Sequence, residues 1–171
     1  MKTPHTYHKF LCVFACLMVL FCQFASIAYS AETKTVTSEL NAFIVTHDKD
    51  GKEVLTLAKE GHPGDIIEYQ LTLTNNTDDK VKSLLATLPI PDGSEYQDQT
   101  AAPIPVLASL DGKTFATVPL TRKVKDKDGK EVTEVVPCSE YRALRWEIAE
   151  IESGKSVMTK SRVKITEGAT K

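Results

Sequence analysis

The chain contains little cysteine, and most of it is clustered near the N-terminus. Three of the four cysteines, Cys12, Cys16 and Cys22, fall within the first 30 residues, and only Cys138 lies beyond them. One cysteine cannot form an internal disulfide, so a disulfide-stabilised scaffold is excluded for the rest of the chain. A chain of about 140 residues can instead be stabilised by its hydrophobic core.

Basic clusters and helical periodicity are also missing. Beyond residue 30 the chain has 19 basic and 23 acidic residues, a net charge of −4, and the basic residues are scattered among acids. Without a basic stripe, nucleic acid is not an expected partner. No segment beyond residue 30 repeats apolar residues at the helical spacing over about eleven residues. The absence of helical periodicity therefore favours a β-rich domain.

The N-terminus has the three parts of a secretory signal peptide. Two lysines precede an apolar run of 13 residues, 10–22, and the small residues Ala28 and Ser30 follow it. This pattern predicts a signal peptide over residues 1–30, cleaved after Ser30. The mature protein is then one domain, residues 31–171, in the periplasm or outside the cell.

Two alternatives to cleavage remain open. As a helix, residues 10–22 would reach about 20 Å, short of the ~30 Å hydrocarbon core, although extension to Ala28 nearly spans it. An uncleaved anchor is therefore the first alternative. Lipid attachment at Cys16 is the weaker one, because Cys16 lies inside the apolar run and not at its end. After cleavage, no further membrane span is expected.

Apolar and polar residues alternate along the mature sequence with the period of two that β-strands show. The alternating apolar positions are Ile67, Tyr69, Leu71 and Leu73; Leu144, Trp146 and Ile148; and Val157, Val163 and Ile165. Short strands separated by Pro, Gly and Asp turns predict an all-β, antiparallel β-sandwich. Its core should bury Trp146, with Tyr69 on the same side of its strand as Leu71.

The stretch "HDKDGKEV" at residues 47–54 has a near copy, "KDKDGKEV", at residues 125–132. A calcium loop needs a ligand at its fifth position and glycine at its sixth, and neither copy has this spacing. The residues that follow the two copies differ, which argues against a duplicated domain. A three-residue turn is favoured, because it places Asp126 opposite Lys130, whereas a two-residue turn would oppose like charges.

A series of motifs runs in order through residues 40–165. It comprises a Pro-Gly-Asp turn, an aromatic-bearing strand that ends in Thr-Asn, a Leu-Pro before a Gly turn, and a Trp strand before another Gly turn. The positions are Pro63, Gly64, Asp65, Tyr69, Thr74, Asn75, Leu88, Pro89, Gly93, Trp146 and Gly154. This order resembles the DUF11 family, a conserved repeat domain of bacterial envelope and surface proteins. The resemblance implies an immunoglobulin-like sandwich, here in single copy, with no catalytic residues to carry over.

Candidate functional residues are few. Tyr141, Arg142 and Arg145 are of types that protein interfaces favour, and they form the candidate partner surface, with the polar face of a strand as the alternative. A charged hairpin predicted over residues 120–136 is a second candidate recognition element. Cys138 is predicted to be a small buried hydrophobe, or otherwise to pair with another chain.

No cofactor, metal or catalytic site is predicted. His47 and His62 lack cysteine or glutamate at ligand spacing, and Ser139 lacks the glycines of a nucleophile elbow. The Asn-Asn-Thr sequon at residues 75–77 is interpreted as a turn. The sequence therefore predicts a non-catalytic envelope protein that binds or scaffolds an unknown envelope or surface protein. A calcium-dependent adhesion module is the alternative, and an envelope enzyme is the second alternative.

Overall fold

The computed structural model describes residues 34–166, and it confirms the predicted all-β sandwich. The strands are β1 (Val36–His47), β2 (Glu53–Leu57), β3 (Ile66–Asn75), β4 (Val81–Pro89), β5 (Ser94–Tyr96), β6 (Leu107–Ser109), β7 (Ala116–Thr117), β8 (Thr121–Lys125), β9 (Glu131–Val135), β10 (Ala143–Ile151) and β11 (Ser156–Ile165). One 3-10 turn, Cys138–Glu140, precedes β10. Within the described range, no helix is long and apolar enough to cross a membrane. The predicted signal peptide lies outside the described residues.

Two antiparallel sheets supply the core. One has five strands in the order β2-β1-β3-β11-β5, and the other has four in the order β4-β10-β6-β7. The last strand, β11, pairs with β3, and β10 pairs with β4, so strands distant in sequence are neighbours in both sheets. Strands β8 and β9 pair with each other as a hairpin, as predicted for residues 120–136.

Trp146 lies at the centre of the core. Its side chain is 1% exposed, and its indole N–H donates a hydrogen bond of 2.9 Å to the carbonyl of Pro103. Leu144 and Ile148 of the same strand are also buried, which confirms the predicted inner face of β10. Tyr69 and Leu71 are half-buried and pack against this core from β3, on one side of their strand as predicted.

One residue of the predicted polar face is buried. The period-two alternation of Ile67, Tyr69 and Leu71 assigns Glu68 to the opposite, polar face, yet its side chain is only 1% exposed. The carboxylate accepts hydrogen bonds from the guanidinium of Arg162 and the amide of Gln70, both at 2.8 Å. Burial of a carboxylate is tolerated when charge and hydrogen bonds compensate it, so the outer face of this sheet contains a buried ion pair.

Two of the predicted glycine turns, those at Gly64 and Gly154, connect the ends of strands. At the first, the backbone N–H of His62 donates to the carboxylate of Asp65 at 2.8 Å, and Gly64 has φ of +97°. The N–H of Gly64 also donates to the carbonyl of Ile165 at 2.9 Å, which joins the turn before β3 to the end of β11. Gly154 has φ of +68° in the turn before β11. Both positions need a backbone that glycine adopts readily.

Asn75 joins the β3–β4 connection to β10. Its buried amide donates to the carbonyls of Asp79 and Ile151 at 2.8 and 2.9 Å. Its side-chain oxygen accepts from the N–H of Thr77 at 3.0 Å and from the hydroxyl of the same residue at 2.6 Å. All the polar atoms of this side chain are therefore engaged, which agrees with the interpretation of the sequon as a turn.

Candidate functional site

The predicted partner surface does not exist as one surface, because Tyr141 is buried. Its side chain is 1% exposed, its ring stacks on Tyr96 with centroids 6.0 Å apart, and its hydroxyl accepts the N–H of Leu120 at 2.9 Å. The assignment of Tyr141 to a surface is therefore wrong. The tyrosine instead fixes the base of the β8–β9 hairpin to the core.

The two arginines of that cluster lie in different environments. The guanidinium carbon of Arg145 lies 3.5 Å from the ring centroid of Phe115, and Nε donates to the hydroxyl of Thr87 at 3.0 Å. Arg145 is therefore half-buried and already held by a cation–π contact, which reduces what it can offer a partner. Arg142 is exposed.

The two Asp-Gly turns have the predicted three-residue geometry. The N–H of Asp126 donates to the carbonyl of Lys130, and the N–H of Asp48 donates to that of Lys52, both at 2.9 Å. Gly51 and Gly129 have φ of +78° and +79°. In each turn one carboxylate oxygen of the first aspartate accepts two backbone N–H groups, at 2.8 to 2.9 Å. These carboxylates stabilise the turns locally.

Substitution of Gly129 by valine is expected to destabilise the protein by about 1–3 kcal/mol, because a β-branched residue resists positive φ. A side-chain Cβ at position 129 would have no other atom within 4 Å, so the cost comes from the backbone alone. Chemical denaturation measures it, with Lys127→Val in the same turn as the control. Calcium should leave the melting temperatures of the wild type and of Gly129→Val unchanged. Equal stability of Gly129→Val and the wild type would contradict the turn assignment.

Carboxylates and histidines of the described chain do not gather into a metal site. Between residues 34 and 166, no three His, Cys, Asp or Glu side chains lie close enough to hold a metal ion. His47 and His62 are both exposed. Asp111 is another turn residue: backbone N–H groups of Thr114 and Lys113, with the hydroxyl of Ser109, hold its pKa well below the ordinary value.

A groove opens beside the base of the hairpin. It has a volume of about 840 Å³ and lies between the β5–β6 connection and residues 117–119, which lead into β8. Tyr96 and Val106, both buried, form part of its lining. Ile104, also a lining residue, is 82% exposed, the highest value among the exposed large apolar residues of the described chain. A large apolar side chain held at the mouth of an apolar groove is typical of a binding surface.

The charge at this groove is negative. The carboxylate of Asp98 is exposed, accepts the N–H of Gln99 at 2.9 Å, and forms no salt bridge within the described residues. Burial raises the pKa of Cys138, and the nearby charges of Asp98 and Glu95 raise it further. The half-buried thiol is therefore protonated at neutral pH, and it packs against the core. Asp98, which has no salt-bridge partner within the described residues, is available to a cation.

No protein-family model matches the chain, and neither does any curated protein or solved structure. The resemblance to the DUF11 family therefore stays a prediction that rests on the order of its motifs. The groove itself was missed by sequence reasoning. Its only signal was the apolar, proline-containing stretch "AAPIPV" at residues 101–106, which lies between predicted strands.

A second polar cluster lies on the outer face of the five-stranded sheet. Arg162 donates to Glu68 at 2.8 Å through Nε and to both carboxylate oxygens of Glu53 at 2.7 and 2.8 Å. Burial raises the pKa of Glu68, but hydrogen bonds from Gln70 and Arg162 and the charge of Lys160 outweigh it and leave the pKa lowered. Every charge in this cluster has a partner, so the cluster connects β2, β3 and β11 and stabilises the sheet.

Proposed function

We propose that the protein is a non-catalytic binding module of the bacterial envelope, exported by its signal peptide and built on the immunoglobulin-like fold that the DUF11 resemblance implies. The observation that carries this proposal is the apolar groove beside the hairpin. The carboxylates of the acidic turns accept backbone N–H groups, and the charges of the outer-face ion cluster pair with one another. The groove instead has an exposed apolar rim at Ile104 and the carboxylate of Asp98, which forms no salt bridge within residues 34–166.

The groove fits an extended segment of another envelope protein. Its lining offers apolar contact at Ile104, Pro105 and Val118, and such contact contributes in proportion to the area removed from water. Asp98 lies at the same groove and has no cation partner among residues 34–166. A segment with apolar side chains and a lysine or arginine would complement both features.

The hairpin gives this site a fixed flank. Pro119 lines the groove, and the next residue, Leu120, is buried and hydrogen-bonded to the hydroxyl of Tyr141. At the other end of the hairpin, the N–H of Val136 donates to the carbonyl of Leu120 at 2.9 Å. These anchors hold the start of the hairpin at the groove, so the hairpin predicted as a recognition element lies next to the apolar site.

Substitution of Ile104 by glutamate is expected to weaken partner binding at least about tenfold, because the buried area of one large aliphatic side chain is lost and a second negative charge is added. The measurement is quantitative capture of a partner from solubilised envelope, followed by titration of the identified protein. Leu85→Glu is the matched control, since Leu85 is also a large aliphatic residue exposed at the surface, at 59%, and does not line the groove.

The variant Asp98→Asn measures separately how much the negative charge of Asp98 contributes to partner binding. If the partner segment is basic, this variant should bind more weakly, and the difference should shrink at high salt. Binding that survives Ile104→Glu unchanged, or that Leu85→Glu reduces equally, would contradict the groove as the binding site.

A further inference from the structure

The edge of the five-stranded sheet contains a gap. Strand β2 pairs only with residues 43–47 of β1, and the N–H of Ala58 extends this by donating to the carbonyl of Ala42 at 2.8 Å. Along residues 36–41 of β1, no strand of the described chain lies on that side. At about 3.4 Å per residue, the gap is roughly 20 Å long, which is enough for one short strand.

The hydrogen bonds that flank the gap show which backbone groups point into it. Residues of an antiparallel strand direct their N–H and C=O alternately to the two neighbouring strands. Ala42 and Asp48 bond to the β2 side, whereas the carbonyl of Thr35 accepts from Asn76 on the β3 side at 3.2 Å. Even-numbered residues of β1 therefore face the edge. Their unpaired groups in the gap are those of Val36, Ser38 and Leu40.

Other edges of the sandwich are poorly suited to pairing. Strand β4 contains Ser83 at φ of +56°, which interrupts a regular ladder, and it ends at Pro89. Strands β5 and β7 have only three and two residues. The β8–β9 hairpin carries charged side chains on both strands. Such features are common protections against edge pairing.

The gap has exposed apolar surface beside it. Leu40 lies opposite Leu71, which packs against the core, and yet Leu40 is 52% exposed. An added strand with an apolar residue opposite Leu40 would cover the Leu40 side chain and extend the apolar core by one strand. Residues 37–40 of the gap and all five residues of β2 are exposed, and β2 also carries apolar Val54, Leu55 and Leu57. The two edges are therefore distinguished by the sequence of the gap and not by exposure.

The sequence of the gap is complementary to itself in one register. In an antiparallel pair centred on Ser38, Val36 of one copy lies opposite Leu40 of the other, and Thr37 lies opposite Glu39. Both apolar edge residues then pair, and no like charges are opposed. A register centred on residue 39 would oppose Glu39 to itself. A register centred on residue 40 would pair Ser38 of one copy with Ala42 of the other, but the carbonyl of Ala42 already accepts a hydrogen bond from the N–H of Ala58.

We infer that this gap is an interface for a second copy of the chain, in which two β1 strands pair antiparallel about a twofold axis at Ser38. The interface is isologous, so it closes on itself and does not propagate into a fibre. It is separate from the groove proposed above, and it would join the five-stranded sheets of two protomers into one.

Ser38→Pro tests the interface directly. The N–H of Ser38 points into the gap, so proline removes a donor that the isolated domain does not use, and proline is tolerated on edge strands. We expect the exported protein and Ser38→Ala to dimerise in sedimentation experiments with the same dissociation constant. Ser38→Pro should remain monomeric while keeping its β-sheet circular dichroism spectrum. Leu40→Lys should weaken the dimer at least about tenfold by removing the apolar pairs.

A disulfide tests the register. The double variant Thr37→Cys/Glu39→Cys places cysteines opposite each other in a non-hydrogen-bonded pair, where side chains approach most closely. It should form a covalent dimer on a non-reducing gel, whereas Thr37→Cys alone should not. A wild-type protein that is monomeric at all accessible concentrations would overturn the inference. So would a dimer that survives Ser38→Pro, or one that Leu55→Pro on the β2 edge abolishes.

Discussion

Substitution of Trp146 by alanine is expected to lower the free energy of unfolding by about 3–5 kcal/mol. The side chain is 1% exposed, so truncation removes a large apolar area from the core and leaves a cavity that the two sheets can only partly close. It also leaves the carbonyl of Pro103 without its indole donor. Equilibrium denaturation in urea measures the loss, and an unchanged slope with denaturant would show that only stability has changed.

Two controls keep that experiment interpretable. Trp146→Phe retains most of the buried area but not the hydrogen bond to Pro103, so it should cost less and remain folded if the alanine variant does not. Glu147→Ala, at the exposed neighbouring position, should change stability by less than about 0.5 kcal/mol. A Trp146→Ala variant as stable as Glu147→Ala would contradict the assignment of Trp146 to the core.

The period-two pattern was sufficient to predict the sandwich and its inner faces. Leu144, Trp146 and Ile148 are buried, as their alternation indicates, because the face of a strand is a local property of the sequence. The Asp-Gly turns were predictable for the same reason. Charge pairing across the turn and the conformational freedom of Gly51 and Gly129 are properties of a few adjacent residues.

Features that depend on distant segments could not be predicted. Glu68 is buried beside Arg162, which is far along the chain but lies directly opposite it on the neighbouring strand β11, whereas alternation alone assigns Glu68 to solvent. Tyr141 was misassigned because its hydroxyl partner is the backbone of Leu120, which lies 21 residues earlier in the chain. The groove depends on how two connections pack, and the β1 gap depends on where β2 ends.

The second large effect is expected from Arg162→Met, which should cost about 3–5 kcal/mol at neutral pH. The variant removes the guanidinium that donates to Glu68 at 2.8 Å and leaves this carboxylate buried. The remaining groups compensate incompletely, since the ammonium of Lys160 is 3.7 Å from Glu68 and only Gln70 donates a short hydrogen bond. Thermal and urea denaturation measure the difference from the wild type.

The pH dependence of this difference identifies its electrostatic origin. In the wild type the pKa of Glu68 is lowered in the folded state, so its contribution to stability is present above the unfolded pKa and is lost as the pH falls through the folded value. Without Arg162, the folded pKa of Glu68 must rise, because burial then acts with less opposition. The difference in free energy of unfolding between the two proteins should therefore be largest near neutral pH and should become smaller below about pH 4.

The double variant Glu68→Gln/Arg162→Met separates the buried charge from the lost packing. Replacing both members of a buried ion pair is often nearly neutral, whereas removal of one member leaves an uncompensated charge. We therefore expect the double variant to be more stable than Arg162→Met alone, and to lose the pH-dependent part of the difference. Two results would contradict this account: a double variant no more stable than Arg162→Met, or a difference in free energy of unfolding between the wild type and Arg162→Met that does not decrease on acidification. Either result would mean that Arg162 stabilises the sheet through the packing of its side chain and its contact with Glu53, and that the burial of Glu68 does not depend on it.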